Sequence, residues 1–265
     1  MIYLIAAITV IILAYLIVQF SILIPGTKGL PVLLYHKVSR THADNLTILP
    51  ETFEHHLIFL NKKGYTTVSM QELIAFQYKH APLPQKPVMI TFDDGYVNNF
   101  ELAYPLLRQY KSKAVFFITS AGIGKTNWWD KNAQPLMNAQ QLLDLDNSFI
   151  ELGPHSNEHK NYKHLTPEQI NSDIHKNIST LQRMRINFVP AFAYPYGGRP
   201  KVKKVYAQML KTFAEAGIKF AFRIGNKVNK LPLKRPFEIK RISIQGTDSM
   251  WTFKTKLRKG RVKLF

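Results

Sequence analysis

The sequence predicts an α/β protein, a parallel sheet or barrel set behind one apolar N-terminal segment. Three observations carry this. From about residue 31 onward, short apolar runs alternate with helical stretches, the pattern of strand–helix–strand units. The first 24 residues carry no charged side chain. Hydrophobic residues make up 46% of the 265, enough to bury a sizeable core and to exclude a disordered chain.

Only Thr9, Gln19 and Ser21 interrupt the apolar run over 1–24. As a helix it spans about 36 Å, enough for a ~30 Å hydrocarbon core. A cleaved signal peptide would want Lys or Arg before the run and a small-residue cleavage site after it. The chain instead begins Met-Ile-Tyr-Leu and leaves through Ile24-Pro25-Gly26, which favours a retained single-pass transmembrane anchor in the cell membrane, with 25–265 as the folded domain. Lys28, Lys37 and Arg40 follow the run, and by the positive-inside rule they favour a cytoplasmic domain. A long folded domain can translocate despite such charges, so the side of the membrane stays open.

Pro-Val-Leu-Leu-Tyr-His (31–36) reads as a buried strand and 51–64 as an amphipathic helix. Buried strands follow at 87–92, 114–119, 149–153, 189–194 and 239–244, with helices at 98–110, 166–187 and 201–216. The Pro-containing stretch 81–87 reads as a loop inside one domain, and no internal repeat is visible.

With no Cys, disulfides, thiolate zinc sites and a cysteine nucleophile are all excluded. The 36 Lys and Arg exceed the 17 Asp and Glu to give +19, and residues 201–265 hold 18 of the basic residues and 3 of the acidic ones. A solvated basic face is the bland reading. The run 254–263, with Trp251, Phe253 and Phe265 beside it, also suits an anionic membrane surface. Nucleic acid is disfavoured, because no helix-turn-helix, RNP aromatics or zinc knuckle is present.

Two clusters sit at the C-terminal ends of predicted strands, where α/β barrels keep reactive groups. The first is Thr-Phe-Asp-Asp-Gly at 91–95, whose adjacent carboxylates Asp93 and Asp94 need a cation or donors among them to ionise together. An Asp-Asp-Gly surface turn is its plain alternative. The second is His155-Ser-Asn-Glu-His159, two imidazoles at a spacing that one helical turn could bring to one ion; a pair of surface histidines is the alternative. Asp94, His155 and His159 together make a His₂-carboxylate set with open positions, suited to zinc or another divalent metal in hydrolysis.

The order and spacing of these motifs, about sixty residues apart, resemble the polysaccharide deacetylases, the NodB-homology group related to carbohydrate esterase family 4. Phe-Ala-Tyr-Pro-Tyr-Gly at 192–197 resembles that family's third motif, normally Arg-x-Pro-Tyr. The resemblance implies a distorted (β/α) barrel, with a core from about 85 to 265, that removes acetyl groups from N-acetylated sugars. It implies Asp93 as general base, Asp94, His155 and His159 as metal ligands, and the backbone N–H of Tyr196 as an oxyanion donor. The chemistry agrees, since a metal acidifies water, a neighbouring carboxylate takes a proton, and an N–H stabilises an oxyanion.

Three departures stand out. Ala193 occupies the place of the Arg that orients the base, no Asp-x-x-x-Trp motif follows, and no histidine occurs after His175, so the usual C-terminal Leu-x-His acid is missing. Arg241 could supply the guanidinium from the last predicted strand, or it could be a solvated residue. His36, ending the first predicted strand, could supply the acid, and Tyr35-His36 resembles the early Tyr-His of poly-N-acetylglucosamine deacetylases; a buried histidine bonded to backbone is the other reading. Trp128-Trp129 suits either stacking on sugar rings or core packing. His55 and His56, with His42, His80 and His164, read as surface residues or supports of the site, and His175 as mid-helical.

A membrane-tethered, metal-dependent sugar N-deacetylase is therefore the expected function. The alternative is a catalytically silent barrel of the same fold that binds glycan, motivated by Ala193 and the missing histidine. Intact Asp93, Asp94, His155 and His159 weigh against silence.

Overall fold

The computed structural model describes residues 2–19 and 26–262. Seven parallel strands form a nearly closed barrel: β1 (Val32–Tyr35), β2 (Pro87–Phe92), β3 (Ala114–Ile118), β4 (Ile150–Pro154), β5 (Ala191–Ala193), β6 (Phe220–Ile224) and β7 (Ile239–Ser243). Around the barrel their order is β4-β3-β2-β1-β7-β6-β5, with Thr66–Thr67 added beside β2. Among the described residues β4 and β5 form no ladder, and one backbone bond spans the seam, from the Val189 N–H to the Leu152 carbonyl at 2.8 Å. A parallel sheet covered on both faces needs near-continuous apolar strands, and β2 and β3 are buried at every position.

Strand alternation separates the interior from the outer layers. Val32, Met89, Val115, Phe117, Ala193, Phe222 and Ile239 fill the barrel. The helices Pro167–Arg183 and Lys203–Glu215 pack Ile170, Ile174, Met209 and Phe213 outside β5 and β6. Pro167–Arg183 begins with a capping box in which Thr166 and Gln169 exchange side-chain-to-backbone bonds, and Pro167 fits the first turn.

Four sequence readings change. The strand β6 was not expected, because charged Lys219 and Arg223 break up its apolar run. The helix expected at 98–110 is instead a π turn, Asn99–Ala103, running into Tyr104–Gln109. The turn brings buried Asn99 under the site, where its Nδ2 donates to the His36 carbonyl at 2.7 Å.

Thirdly, no helix among the described residues is long and apolar enough to cross a membrane. The helix Ile2–Gln19 has 18 residues, which at ~1.5 Å each reaches about 27 Å, short of a ~30 Å core. Residues 20–24 of the expected anchor lie outside the described residues.

Fourthly, His56 is not on the surface. It is fully buried, stacked face to face on Phe253 with ring centroids 3.7 Å apart, and its Nδ1 meets the Tyr35 hydroxyl at 3.1 Å. Its Nε2 has no hydrogen-bond partner among the described residues. Burial, aided by neighbouring His55, pushes its pKa from 6.5 to about 3. The unfolded chain then binds the extra proton first, so this stability is complete above pH 6.5 and is lost as pH falls toward 3. Between about pH 7.5 and about pH 5, urea unfolding should lose about 2 kcal/mol from this one group. His56→Phe should flatten that dependence, and an unchanged slope would contradict the assignment.

Candidate active site

Every barrel strand points its C-terminal end to one mouth, and the predicted residues gather there. Asp93 and Asp94 follow β2, His155 follows β4, and Tyr196 follows β5. Asp94 and Gly95 take left-handed backbone, φ +78° and +83°, so the chain turns sharply as the strand ends. A Cβ on Gly95 would also come within 3.0 Å of Ile118.

His155 and His159 do not share a helical turn. They lie on a loop in which Ser156 (φ +73°) and His159 (φ +55°) are both left-handed. The loop is held from behind by the helix Pro167–Arg183. Asp173 accepts from the N–H groups of Asn157 (3.0 Å) and Glu158 (3.1 Å) and from the Tyr162 hydroxyl (2.7 Å), while Asn177 Nδ2 donates to the Ser156 carbonyl at 2.5 Å. Both are buried. Sequence reasoning missed them, although two polar residues four apart on the face of Ile170, Ile174, Ile178 and Leu181 are a legible anomaly.

The imidazoles converge on Asp94. Its Oδ1 lies 3.3 Å from His155 Nε2 and 3.1 Å from His159 Nε2. Nδ1 of His155 faces the Ala193 carbonyl at 2.8 Å; a carbonyl only accepts, so Nδ1 carries the proton and Nε2 offers a lone pair to the cluster. Asp94 Oδ1 is buried and, apart from these two imidazole nitrogens, meets no hydrogen-bond partner among the described residues. Among the described residues, Asp94, His155 and His159 are the group whose donor atoms all lie within 4.8 Å of one another and could hold a metal. A buried carboxylate oxygen set between two imidazole nitrogens suits a divalent cation.

Asp93 is held differently. Arg241 is fully buried, and its two terminal nitrogens donate to the two Asp93 oxygens at 2.5 and 2.6 Å. Arg241 shares the inward face of β7 with Ile239, two residues earlier, so it points into the barrel and lies over the Phe117 ring (5.6 Å). The solvated alternative for Arg241 is thus overturned by strand alternation. Burial disfavours charge on both acids, yet Arg241 with His155 lowers the Asp93 pKa, and His159 with His155 holds Asp94 well below the usual carboxylate range. His155 moves up: burial opposes its charge, and Asp93 and Asp94 outweigh burial.

His36, Asp93, Asp94, His155, His159 and Tyr196 line one cavity of about 310 Å³. Tyr196 is left-handed (φ +56°), with its ring on His159 at 4.7 Å. Burial lowers the His36 pKa, against the pull of Asp93 and Asp94, so once charged it gives up its proton more readily. Next to the cavity is a groove of about 700 Å³ lined by Trp128, Trp129, Lys125 and Tyr196. Trp129 stacks on His159 at 4.2 Å and Trp128 is exposed, so the pair belongs to the groove and not to the core.

This constellation of two carboxylates, two imidazoles and a buried guanidinium sits at the mouth of a parallel barrel. The chain matches, over residues 80–208, the family model described as polysaccharide deacetylase. It is 29% identical over 168 residues to a Bacillus subtilis (strain 168) protein whose name places it among polysaccharide deacetylases; the match covers 63% of this chain and only 57% of that relative's length. It is 24% identical over 220 residues to the poly-beta-1,6-N-acetyl-D-glucosamine N-deacetylase of Staphylococcus aureus (strain MSSA476), covering 80% of this chain and 72% of that one. The fold matches IcaB from Ammonifex degensii with a TM-score of 0.73 at 22% identity, over 88% of this chain and 97% of that one.

Proposed function

We propose that this chain is a metal-dependent hydrolase that removes N-acetyl groups from a glycan at the membrane. The observation that carries the reading is the buried Asp94 Oδ1 between two imidazoles, beside the Arg241–Asp93 pair in one cavity. A divalent metal, zinc by the donor set, would be held by Asp94, His155 and His159 and would supply Lewis acidity to the amide carbonyl and to water.

The chain's own residues do the rest. Asp93, fixed and ionised by Arg241, takes the proton of the attacking water as its oxygen bonds to the acetyl carbon. The backbone N–H of Tyr196 donates to the oxygen that becomes negative. His36 gives a proton to the departing nitrogen as the C–N bond breaks, leaving acetate and a free amino sugar. Trp128 and Trp129 offer faces for neighbouring sugar rings.

The silent-barrel reading rested on two losses. A guanidinium now reaches the base from Arg241, and an imidazole, His36, lines the cavity, so both gaps have a candidate on this chain. Membrane attachment through 1–24 is part of the proposal, supported by the uncharged sequence there. The assay is acetate release from a panel of N-acetylated glycans. His36→Ala should lower turnover by ~10²-fold or more with metal content unchanged. Undiminished turnover in that variant would remove His36 from the reaction.

A further inference from the structure

The opposite end of the barrel has its own cavity, of about 460 Å³. Pro31 and Pro87, at the N-terminal ends of β1 and β2, form part of its wall, and Lys28, Lys86 and Arg258 line it. None of its lining residues is acidic. Lys28, Lys86 and Arg258 are all exposed. Arg258 lies near the end of the helix Met250–Lys259, whose last turn is basic and whose inner face buries Phe253 and Leu257.

The chain returns from its apolar N-terminal segment at this point. The Thr27 N–H donates to the Arg258 carbonyl at 2.9 Å, and a Cβ on Gly26 would lie 3.2 Å from the same oxygen. The exit of the apolar segment is thereby tied to the basic helix.

We propose that this basic cavity seats the barrel on anionic phospholipid headgroups, with the mouth that holds Asp93 and Asp94 turned away from the bilayer. The inference rests on the membrane attachment stated under the proposed function. Two features select lipid as the occupant: the uniform positive charge of the wall, and the arrival of an uncharged apolar segment at its rim. All seven strands run from this base to the mouth. From Pro31 to His36 the chain advances about 17 Å at ~3.3 Å per residue, so the two ends are well separated. A glycan extending from the surface meets such a mouth, whereas a sugar held at headgroup level lies at the wrong end.

The chain contains no Cys, so single-cysteine variants of it can be labelled without background. Gln85→Cys marks the base cavity and Asn45→Cys the mouth. The labelled proteins are reconstituted into vesicles of phosphatidylcholine containing a minority of phosphatidylglycerol, with a headgroup quencher carried on one lipid and then on the other. The label at 85 should be quenched more than the label at 45, and more by phosphatidylglycerol than by phosphatidylcholine. Removing Lys28, Lys86 or Arg258 (each →Gln) should reduce that lipid preference about fivefold per charge, with the circular dichroism unchanged. Vesicle flotation without any preference, or stronger quenching at 45, overturns this proposal and leaves the attachment standing. Failure to float with the vesicles overturns the attachment and the proposal together.

Discussion

Asp93→Asn should lower turnover by ~10²–10⁴, the span of a positioned acid–base group, while Asp94, His155 and His159 stay in place. Asn keeps the shape of Asp but is neither charged nor basic. Arg241 currently spends both terminal nitrogens on Asp93, which fixes the carboxylate plane and keeps it ionised in a fully buried setting. The same substitution strips Arg241 of its counter-charge. Removing one partner of a buried pair costs ~3–5 kcal/mol, so melting should also fall. Turnover must be compared at a temperature where both proteins are folded, with metal content measured in each. Near-normal turnover in folded, metal-loaded Asp93→Asn protein would exclude it as the base.

His155→Ala and His159→Ala should each abolish stoichiometric metal binding. Changes to groups that merely orient a ligand cost ~10–100-fold in affinity, and loss of one of three ligands should exceed that. Asp94→Asn should behave similarly, because it replaces the buried carboxylate between the two imidazoles with an amide. His36→Ala, outside the ligand set, is the matched control and should keep its metal. Elemental analysis after dialysis against a metal buffer separates the cases. Full occupancy in both histidine variants would remove them as ligands.

Much of this site is legible in the sequence because it follows strand ends. Asp93, Asp94 and His155 come directly after apolar runs that can hardly be anything but buried strands, and β2 matches its expected range residue for residue. Arg241 was half-legible. Its strand was expected, but whether its side chain pointed inward depended on register, which only Ile239 and the barrel interior settle. The missed features depend on tertiary contacts. Asn99 reaches His36 only because a π turn replaces regular helix, and Asp173 and Asn177 support a loop that is distant in sequence. His56 shows the converse, since its helix was expected and its burial under Phe253 came from the unpredicted C-terminal helix.

The most direct test is acetate release by this 265-residue chain from N-acetylglucosamine oligomers, after chelation and again after zinc is restored. Chelated protein should release no acetate. Zinc should restore release, with one free amino group for each acetate formed, and Asp93→Asn with zinc should remain close to the chelated level. Protein that binds zinc at Asp94, His155 and His159 yet frees no acetate from any N-acetylated glycan would contradict the account and leave a silent glycan-binding barrel in its place.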